Sequence, residues 1–338
     1  MEKLNVLTLT DTLHKSGAEK VAIDLSIAIK DYTNNNVIVY ATRSGGVLET
    51  SLKKNRVDYY ILERKNKFNF KMFFQLIKLL KSKKVDIIHS HKFGSNFWAV
   101  IIGKLLKIKV VCHIHGQNYQ NSIIDRLSNK FIAYSADAII SVSLMEEKLF
   151  KDYTNINPDK VYTVYNGLEV EKFKFNNLRY KSKDKVVGIV AALREEKRVD
   201  LLIHAAKEVL KVRPNTTFII VGDGPKKAEL QQLAFNLGIS KNIVFTGFCD
   251  NAVEYIRKFD LGVLCSIREG LPLVLLEYLL CKTPIIATDV GGVSEIIRDG
   301  YNGILIPPDN SFKLADAILD VLEERVNVND YVKNGFSF

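Results

Sequence analysis

Two carboxylates, Glu269 and Glu277, frame the segment Ser266-Ile267-Arg268-Glu269-Gly270-Leu271-Pro272-Leu273-Val274-Leu275-Leu276-Glu277. Glu269 falls in the loop after an apolar run. Gly270 permits close backbone approach, and Pro272 suits the first turn of a helix. Such a loop-to-helix turn, with the backbone of Gly270, Leu271, Pro272 and Leu273, presents N–H groups and a positive dipole end to a phosphate. Glu277 lies inside the apolar stretch 273–280, where a carboxylate is costly unless it has a partner. Vicinal ribose hydroxyls would suit it; a local cap or ion pair is the plainer alternative.

Other candidates follow strand-like runs. Arg194 and Lys197, in Leu193-Arg194-Glu195-Glu196-Lys197-Arg198, are placed to meet a diphosphate. An exposed mixed-charge loop is the competing reading. Four of the six histidines form two His-x-His pairs, His89/His91 and His113/His115, and period-2 spacing puts each pair on one sheet face. For His89 and His113 the favoured reading is a hydrogen-bonded core imidazole. The functional alternative is one histidine in the cleft, His115 before Gly116, acting near a sugar or its phosphate. A zinc site using Cys112 is a further option, but no cysteine or carboxylate cluster completes it, so no metal ligands are expected. Gly17, in Ser16-Gly17-Ala18-Glu19, lets a helix N-terminus approach a phosphate. Gly222-Asp223-Gly224-Pro225 reads as a tight turn, and neither G-x-G-x-x-G nor a Walker A motif occurs.

The elements that must position these residues alternate. Strand-like runs at 4–9, 37–40, 58–62, 85–88, 110–114, 138–142 and 161–164 are separated by helical periodicity over 18–29, 70–81, 96–106, 123–134 and 144–153. The pattern repeats with strands at 186–191, 217–221, 243–246, 261–265, 284–288 and 303–306, and helices at 200–210, 226–237, 253–258, 274–280, 293–299 and 311–324. Alternation of this kind predicts parallel sheets covered on both faces, with ligands outside the carboxyl ends of the strands. The turn Asn166-Gly167 divides the chain into domains 1–166 and 167–338.

The 338 residues suit two cores better than one. At 47% hydrophobic and 25% charged, the composition excludes disorder and low complexity. No apolar run spans a bilayer, Met1–Leu7 lacks a signal peptide's regions, and the four cysteines include no C-x-x-C. A cytoplasmic protein is expected. The net charge of +10 lies wholly in the first half: residues 1–165 hold 25 Lys+Arg against 15 Asp+Glu, and 166–338 hold 23 of each. The densest stretch, Arg64–Lys84, carries Arg64, Lys65, Lys67, Lys71, Lys78, Lys81, Lys83 and Lys84, with Phe70, Phe73, Phe74, Ile77 and Leu80 at helical spacing. It could lie on an anionic inner-membrane surface or be a core-facing helix with a solvated lysine face. Nucleic acid is not expected as a partner, since no recognition motif accompanies the charge.

Taken in order, these pieces resemble the retaining GT-B glycosyltransferases of family 4. The resemblance runs through Ser16-Gly17-Ala18-Glu19, Val85–His91, His113-Ile114-His115-Gly116, Val164–Glu169, Leu193–Asp200, Val221–Pro225, Gly247-Phe248, Glu269–Glu277 and Ala287–Gly292. It implies an α/β GT-B architecture, two Rossmann-like doubly wound domains facing a cleft. The basic N-terminal domain would bind the acceptor, and the C-terminal domain the nucleotide sugar. Glu277 would bind the ribose hydroxyls, and Glu269 with the backbone of Gly270–Leu273 the sugar and phosphate. Arg194 and Lys197 would neutralise the diphosphate without a metal. Gly17 would approach it from the other domain, His115 would sit beside the donor sugar, and the loop beginning at Phe248 would contact the base. The family commonly has two glycines where this chain has Ser16-Gly17, and commonly an arginine where Ala192 stands. It also usually ends in a helix crossing back to the N-terminal domain, about where this sequence stops.

The resemblance implies a retaining hexosyltransferase, UDP-hexose favoured, acting on a lipid-linked or glycan acceptor in bacterial surface polysaccharide synthesis. The nucleotide sugar is a substrate, and no cofactor is expected. A non-catalytic peripheral membrane or partner-binding protein of this fold, and a nucleotide-sugar epimerase, are the alternatives.

Overall fold

A computed structural model describes residues 3–62, 70–116, 123–173 and 184–336. The chain divides into two compact units, Met1–Asn166 and Gly167–Phe338. In the first, the order is β1 (Asn5–Thr12), α1 (Gly17–Tyr32), β2 (Asn36–Ser44), α2 (Glu49–Lys54), β3 (Asp58–Ile61), α3 (Phe70–Ser82), β4 (Ile87–His91), α4 (Phe93–Leu106), β5 (Lys109–Ile114), α5 (Ile123–Ser135), β6 (Ala138–Ser141), α6 (Leu144–Thr154) and β7 (Val161–Thr163). The second runs β8 (Val186–Val190), α7 (Val199–Val212), β9 (Thr217–Val221), α8 (Lys227–Asn236), β10 (Ile243–Gly247), α9 (Val253–Ile256), β11 (Leu261–Leu264), α10 (Leu273–Leu280), β12 (Ile285–Thr288), β13 (Ile304–Ile306), α11 (Ser311–Leu322) and α12 (Val328–Phe336).

Both sheets are wholly parallel. Their strand orders are β3-β2-β1-β4-β5-β6-β7 and β10-β9-β8-β11-β12-β13. Each order reverses direction once, between β1 and β4 and between β8 and β11. Helix N-termini splay apart at such a switch point, leaving a crevice at the carboxyl ends. Burial on both faces explains the near-continuous apolar runs: every residue of β11 and β12 is buried. Each unit has its own core. One gathers Leu7, Leu9, Leu76, Leu80, Ile88, Val100 and Phe150. The other gathers Val187, Ile189, Leu202, Phe218, Ile220, Val263 and Ile318.

Several expectations are corrected. Residues 293–299 do not form a helix. A short 3-10 turn at Gly291–Glu295 ends instead on the buried Asn302, whose side chain donates to the Ile296 carbonyl and accepts from the Arg298 amide. Two helices were not expected. α2 buries one apolar side chain, Leu52, too few to make a period. α12 forms where no helix was expected; its Gly335 lies against the Leu279 side chain of α10, which would have to shift to admit a Cβ there. Among the described side chains of α3, Leu76 and Leu80 are buried, whereas Phe74 is 65% exposed and meets Phe73 edge to face. Arg64, Lys65, Lys67 and the side chain of Lys71 lie outside the described residues. Lys83 lies 3.7 Å from Asp58. Among the described residues, no helix is long and apolar enough to cross a membrane.

Candidate active site

The switch point of the second unit brings together residues far apart in sequence. After β8 the chain makes a short turn whose Lys197 Nζ donates to Glu269 Oε1 at 2.6 Å, and Ser266 Oγ donates to the same oxygen at 2.6 Å. The Glu269 side chain is 9% exposed and that of Lys197 24%, so this pair is largely withdrawn from water. The two loops are also laced through the backbone. The Ile267 amide donates to the Glu196 carbonyl at 3.0 Å, and Cys265 Sγ donates to the Arg198 carbonyl at 3.0 Å. Lys197 is thus held at the end of the neighbouring strand β11 rather than left in a solvated loop.

α10 begins directly after this pair. Its N-cap is Pro272, in an extended conformation and with no side-chain cap, so no side chain competes for the first-turn amides. The buried residues Gly270 and Leu271 lead into it. Behind them runs the loop after β12: the Gly292 amide donates to the Gly270 carbonyl at 3.0 Å. Gly291 has φ +54, and a Cβ there would collide with the Glu269 carbonyl oxygen. Tyr278 fixes the rotation of α10. Its hydroxyl accepts from the Val190 amide at 3.1 Å, and its ring packs on Gly262. With Tyr278 turned to the core, the preceding Glu277 is half-buried on an adjacent face.

The remaining candidates divide. Phe248 is 53% exposed and follows Gly247, whose φ is +74. Gly222-Asp223-Gly224-Pro225 is a tight turn: a Cβ at Gly222 would collide with the Ala191 carbonyl oxygen, and the Leu193 amide donates to the Asp223 carbonyl at 2.9 Å. Arg194 is exposed and lines a depression between α7 and α8 with Glu195, His204, Lys226 and Glu229. Lys197, not Arg194, is the cation paired with Glu269.

At the first unit's switch point, Gly17 opens α1, and a Cβ there would meet no atom within 4 Å. Sequence reasoning did not assign Glu19, Lys92 or Asp11, whose side chains bond across the first unit's elements. Glu19 is buried, accepts from Ser16 Oγ, and accepts from Lys92 Nζ at 2.5 Å. Asp11 accepts from Ser95 Oγ at 2.8 Å. The only sequence signal was an acid one turn into a helix after a strand.

The four histidines form one stack. The register of β4 against β5 sets His91 beside His113. Ring centroids are 4.4 Å apart for His89–His91, 4.9 Å for His91–His113 and 4.3 Å for His113–His115. His91 Nδ1 and His115 Nε2 share a hydrogen bond of 3.0 Å. His89 and His113 are buried as expected. Contrary to expectation, His89 Nε2 and both nitrogens of His113 find no hydrogen-bond partner among the described residues. Burial pushes His89 down to about 4. Burial, with the positive charges of His89 and Lys92 nearby, pushes His115 down to about 3. Burial and neighbouring imidazoles also hold His91 and His113 well below the ordinary value. All four rings are therefore neutral at pH 7, and His115 can offer a neutral donor or acceptor but not a cation.

Sequence comparison decides the family. A model described as Glycosyl transferases group 1 matches residues 170–338, and one described as Glycosyltransferase Family 4 matches residues 15–172. The chain belongs to the family 4, group 1 glycosyltransferases. An uncharacterized glycosyltransferase of Methanocaldococcus jannaschii is 31% identical over 268 residues, 77% of this chain and 72% of that protein. N-acetyl-alpha-D-glucosaminyl L-malate synthase of Bacillus anthracis is 27% identical over 263 residues, 74% and 68% of the two chains. The UDP-Gal:alpha-D-GlcNAc-diphosphoundecaprenol alpha-1,3-galactosyltransferase of Escherichia coli is 24% identical over 294 residues, 80% and 76%. In structure, this glycosyltransferase resembles the Anabaena HepE protein in complex with UDP-glucose, with a TM-score of 0.87 at 22% identity, covering 99% of this chain and 94% of that one. Its fold is the α/β GT-B fold.

Proposed function

We propose that this glycosyltransferase moves a hexose from a UDP-hexose to a lipid-linked or glycan acceptor, with retention of configuration, in bacterial surface polysaccharide synthesis. The observation that carries the reading is the Lys197–Glu269 pair at the second unit's switch point, directly before the N-terminus of α10. In the proposed reaction the bond from the anomeric carbon to the diphosphate breaks, and one to the acceptor oxygen forms on the same face. The acceptor proton passes to the departing phosphate oxygen. Lys197 and the first amides of α10 offset the charge that develops on the diphosphate, a task that needs no metal if these donors are already in place. Glu277 takes the ribose hydroxyls, Glu269 the donor sugar, and Phe248 the side of the base. Gly17 leaves room for the diphosphate, and neutral His115 is assigned to the reacting sugar by the family pattern.

Relatives support the substrate classes. The Escherichia coli relative's name specifies UDP-Gal, a lipid diphosphate acceptor and an α-linked product, and UDP-hexoses are themselves α-linked. The structural relative was solved with UDP-glucose.

The test is turnover of UDP-, GDP- and ADP-hexoses against undecaprenyl-diphosphate-linked and soluble glycan acceptors, with and without added Mg2+. The expected result is a UDP-hexose donor, an α-linked product by NMR and no response to Mg2+. A GDP-sugar preference, a β-linked product or strict Mg2+ dependence would each overturn the corresponding part. Vesicle binding without turnover would favour the non-catalytic alternative. Conversion of the donor without acceptor would favour the epimerase.

A further inference from the structure

The histidine stack contains three side chains that the proposed reaction does not use. His89, His91 and His113 are 6%, 0% and 2% exposed. Each offers a ring nitrogen, and the three nitrogens lie within 4.8 Å of one another. His89 Nε2, His91 Nε2 and both His113 nitrogens lack a hydrogen-bond partner among the described residues. Three adjacent rings with orphaned, buried nitrogens are an unfavourable core unless something accepts their lone pairs.

We propose that His89, His91 and His113 form a binding site for a divalent transition-metal ion of the zinc class. The ligand set fits that class. Three imidazoles suit zinc, cobalt, nickel and copper, and contain none of the oxygen ligands that magnesium and calcium require. Cys112 does not join them. It alternates to the other side of β5, where Ser90 Oγ contacts its sulfur at 3.6 Å. The bond between His91 Nδ1 and His115 Nε2 has the form of an outer-shell contact, fixing the ring through one nitrogen and leaving Nε2 for the ion. The ligands stand on two adjacent strands in fixed register, with His91 opposite His113, which gives the site a stiff frame. Nitrogen–zinc bonds of about 2.0–2.1 Å require the rings to turn inward from their present separations, a side-chain adjustment that leaves the strands in place. Three protein ligands leave a fourth position open. The bound ion would tie the end of β4 to the end of β5 and so set the position of the His115-Gly116 segment. This proposal rests on the ring geometry alone and stands whichever donor the enzyme uses.

The experiment uses the full chain without a histidine tag, stripped with dipicolinate and titrated with Co2+ and Zn2+. The readouts are metal content by plasma mass spectrometry and the visible d–d absorption of bound Co2+. One equivalent per chain with a tetrahedral Co2+ spectrum is expected. Affinity should fall at least about tenfold in His89→Gln and in His113→Gln, and remain in His204→Gln, an exposed histidine of the other unit. Circular dichroism of the stripped variants separates loss of a ligand from loss of the fold. If either variant fails to fold, anomalous scattering at the zinc edge from wild-type crystals decides. A peak among the three rings supports the site; no peak there, or peaks only at the surface, overturns it. Unchanged affinity in both folded variants would overturn it as well.

Discussion

At the residue scale, Glu269 is held from three sides: by Lys197, by Ser266, and by the loop whose Gly291 leaves no room for a Cβ beside the Glu269 carbonyl. Gly291→Ala must relieve both that collision and a positive φ. It should lower stability by about 1–2 kcal/mol and weaken UDP-sugar binding, measured by denaturant unfolding and calorimetry. An unchanged donor affinity would mean that the loop does not shape the site. Lys197→Ala removes the cation proposed to offset the diphosphate charge and should lower kcat by about 10²–10³. It also leaves the withdrawn Glu269 carboxylate without its cation, so the melting temperature should fall as well. A milder loss in Lys197→Arg would separate charge from packing. Glu277→Ala should cost about 1.5–3 kcal/mol of UDP affinity, the range for hydrogen bonds to a charged group. Equal affinity would remove Glu277 from the ribose role. These residues were individually legible, because each follows a strand-like run or interrupts an apolar one. The pairing was not, because Lys197 and Glu269 are 72 positions apart and meet only through the adjacency of β8 and β11.

At the element scale, hydrophobic period located most strands and helices. It failed where the deciding interaction was a single side chain. Asn302 meets the chain where the expected helix after β12 would run, and Leu52 is the one buried side chain of α2. The same period placed Leu80 correctly in the core stripe of α3, but it also placed Phe74 there, which is exposed, and it missed the buried Leu76. Exposed Phe74 and the lysines of α3 keep a membrane-facing role open to measurement. Each lysine near an anionic surface is worth about 1 kcal/mol, and Asp58 offsets part of this for Lys83. Replacing Lys81, Lys83 and Lys84 together with Ser should therefore reduce partitioning to phosphatidylglycerol vesicles roughly tenfold or more, with a larger effect at low salt. Equal partitioning at low salt would dismiss the patch.

For the whole molecule, each unit carries its own core, and every residue of the Glu269 cluster, the proposed donor site, belongs to the second. Residues 167–338 expressed alone should melt cooperatively and still respond to UDP, which adds about 2.7 kcal/mol at 100 times its dissociation constant. A cooperative melt with no UDP response would show that the nucleotide site needs residues 1–166. By itself the sequence determined the alternation of strands and helices, the +10 charge confined to the first half, and the glycines, acids and histidines available for chemistry. Those properties are local, set by periodicity and residue type. Only the tertiary structure decided strand order, and with it everything that depends on neighbours: Lys197 against Glu269, Glu19 against Lys92, and His91 and His115 in one hydrogen bond. The physical reason is that a parallel sheet pairs segments through crossovers. Side chains meet at its carboxyl edge according to lateral position in the sheet, and spacing along the chain does not encode that position.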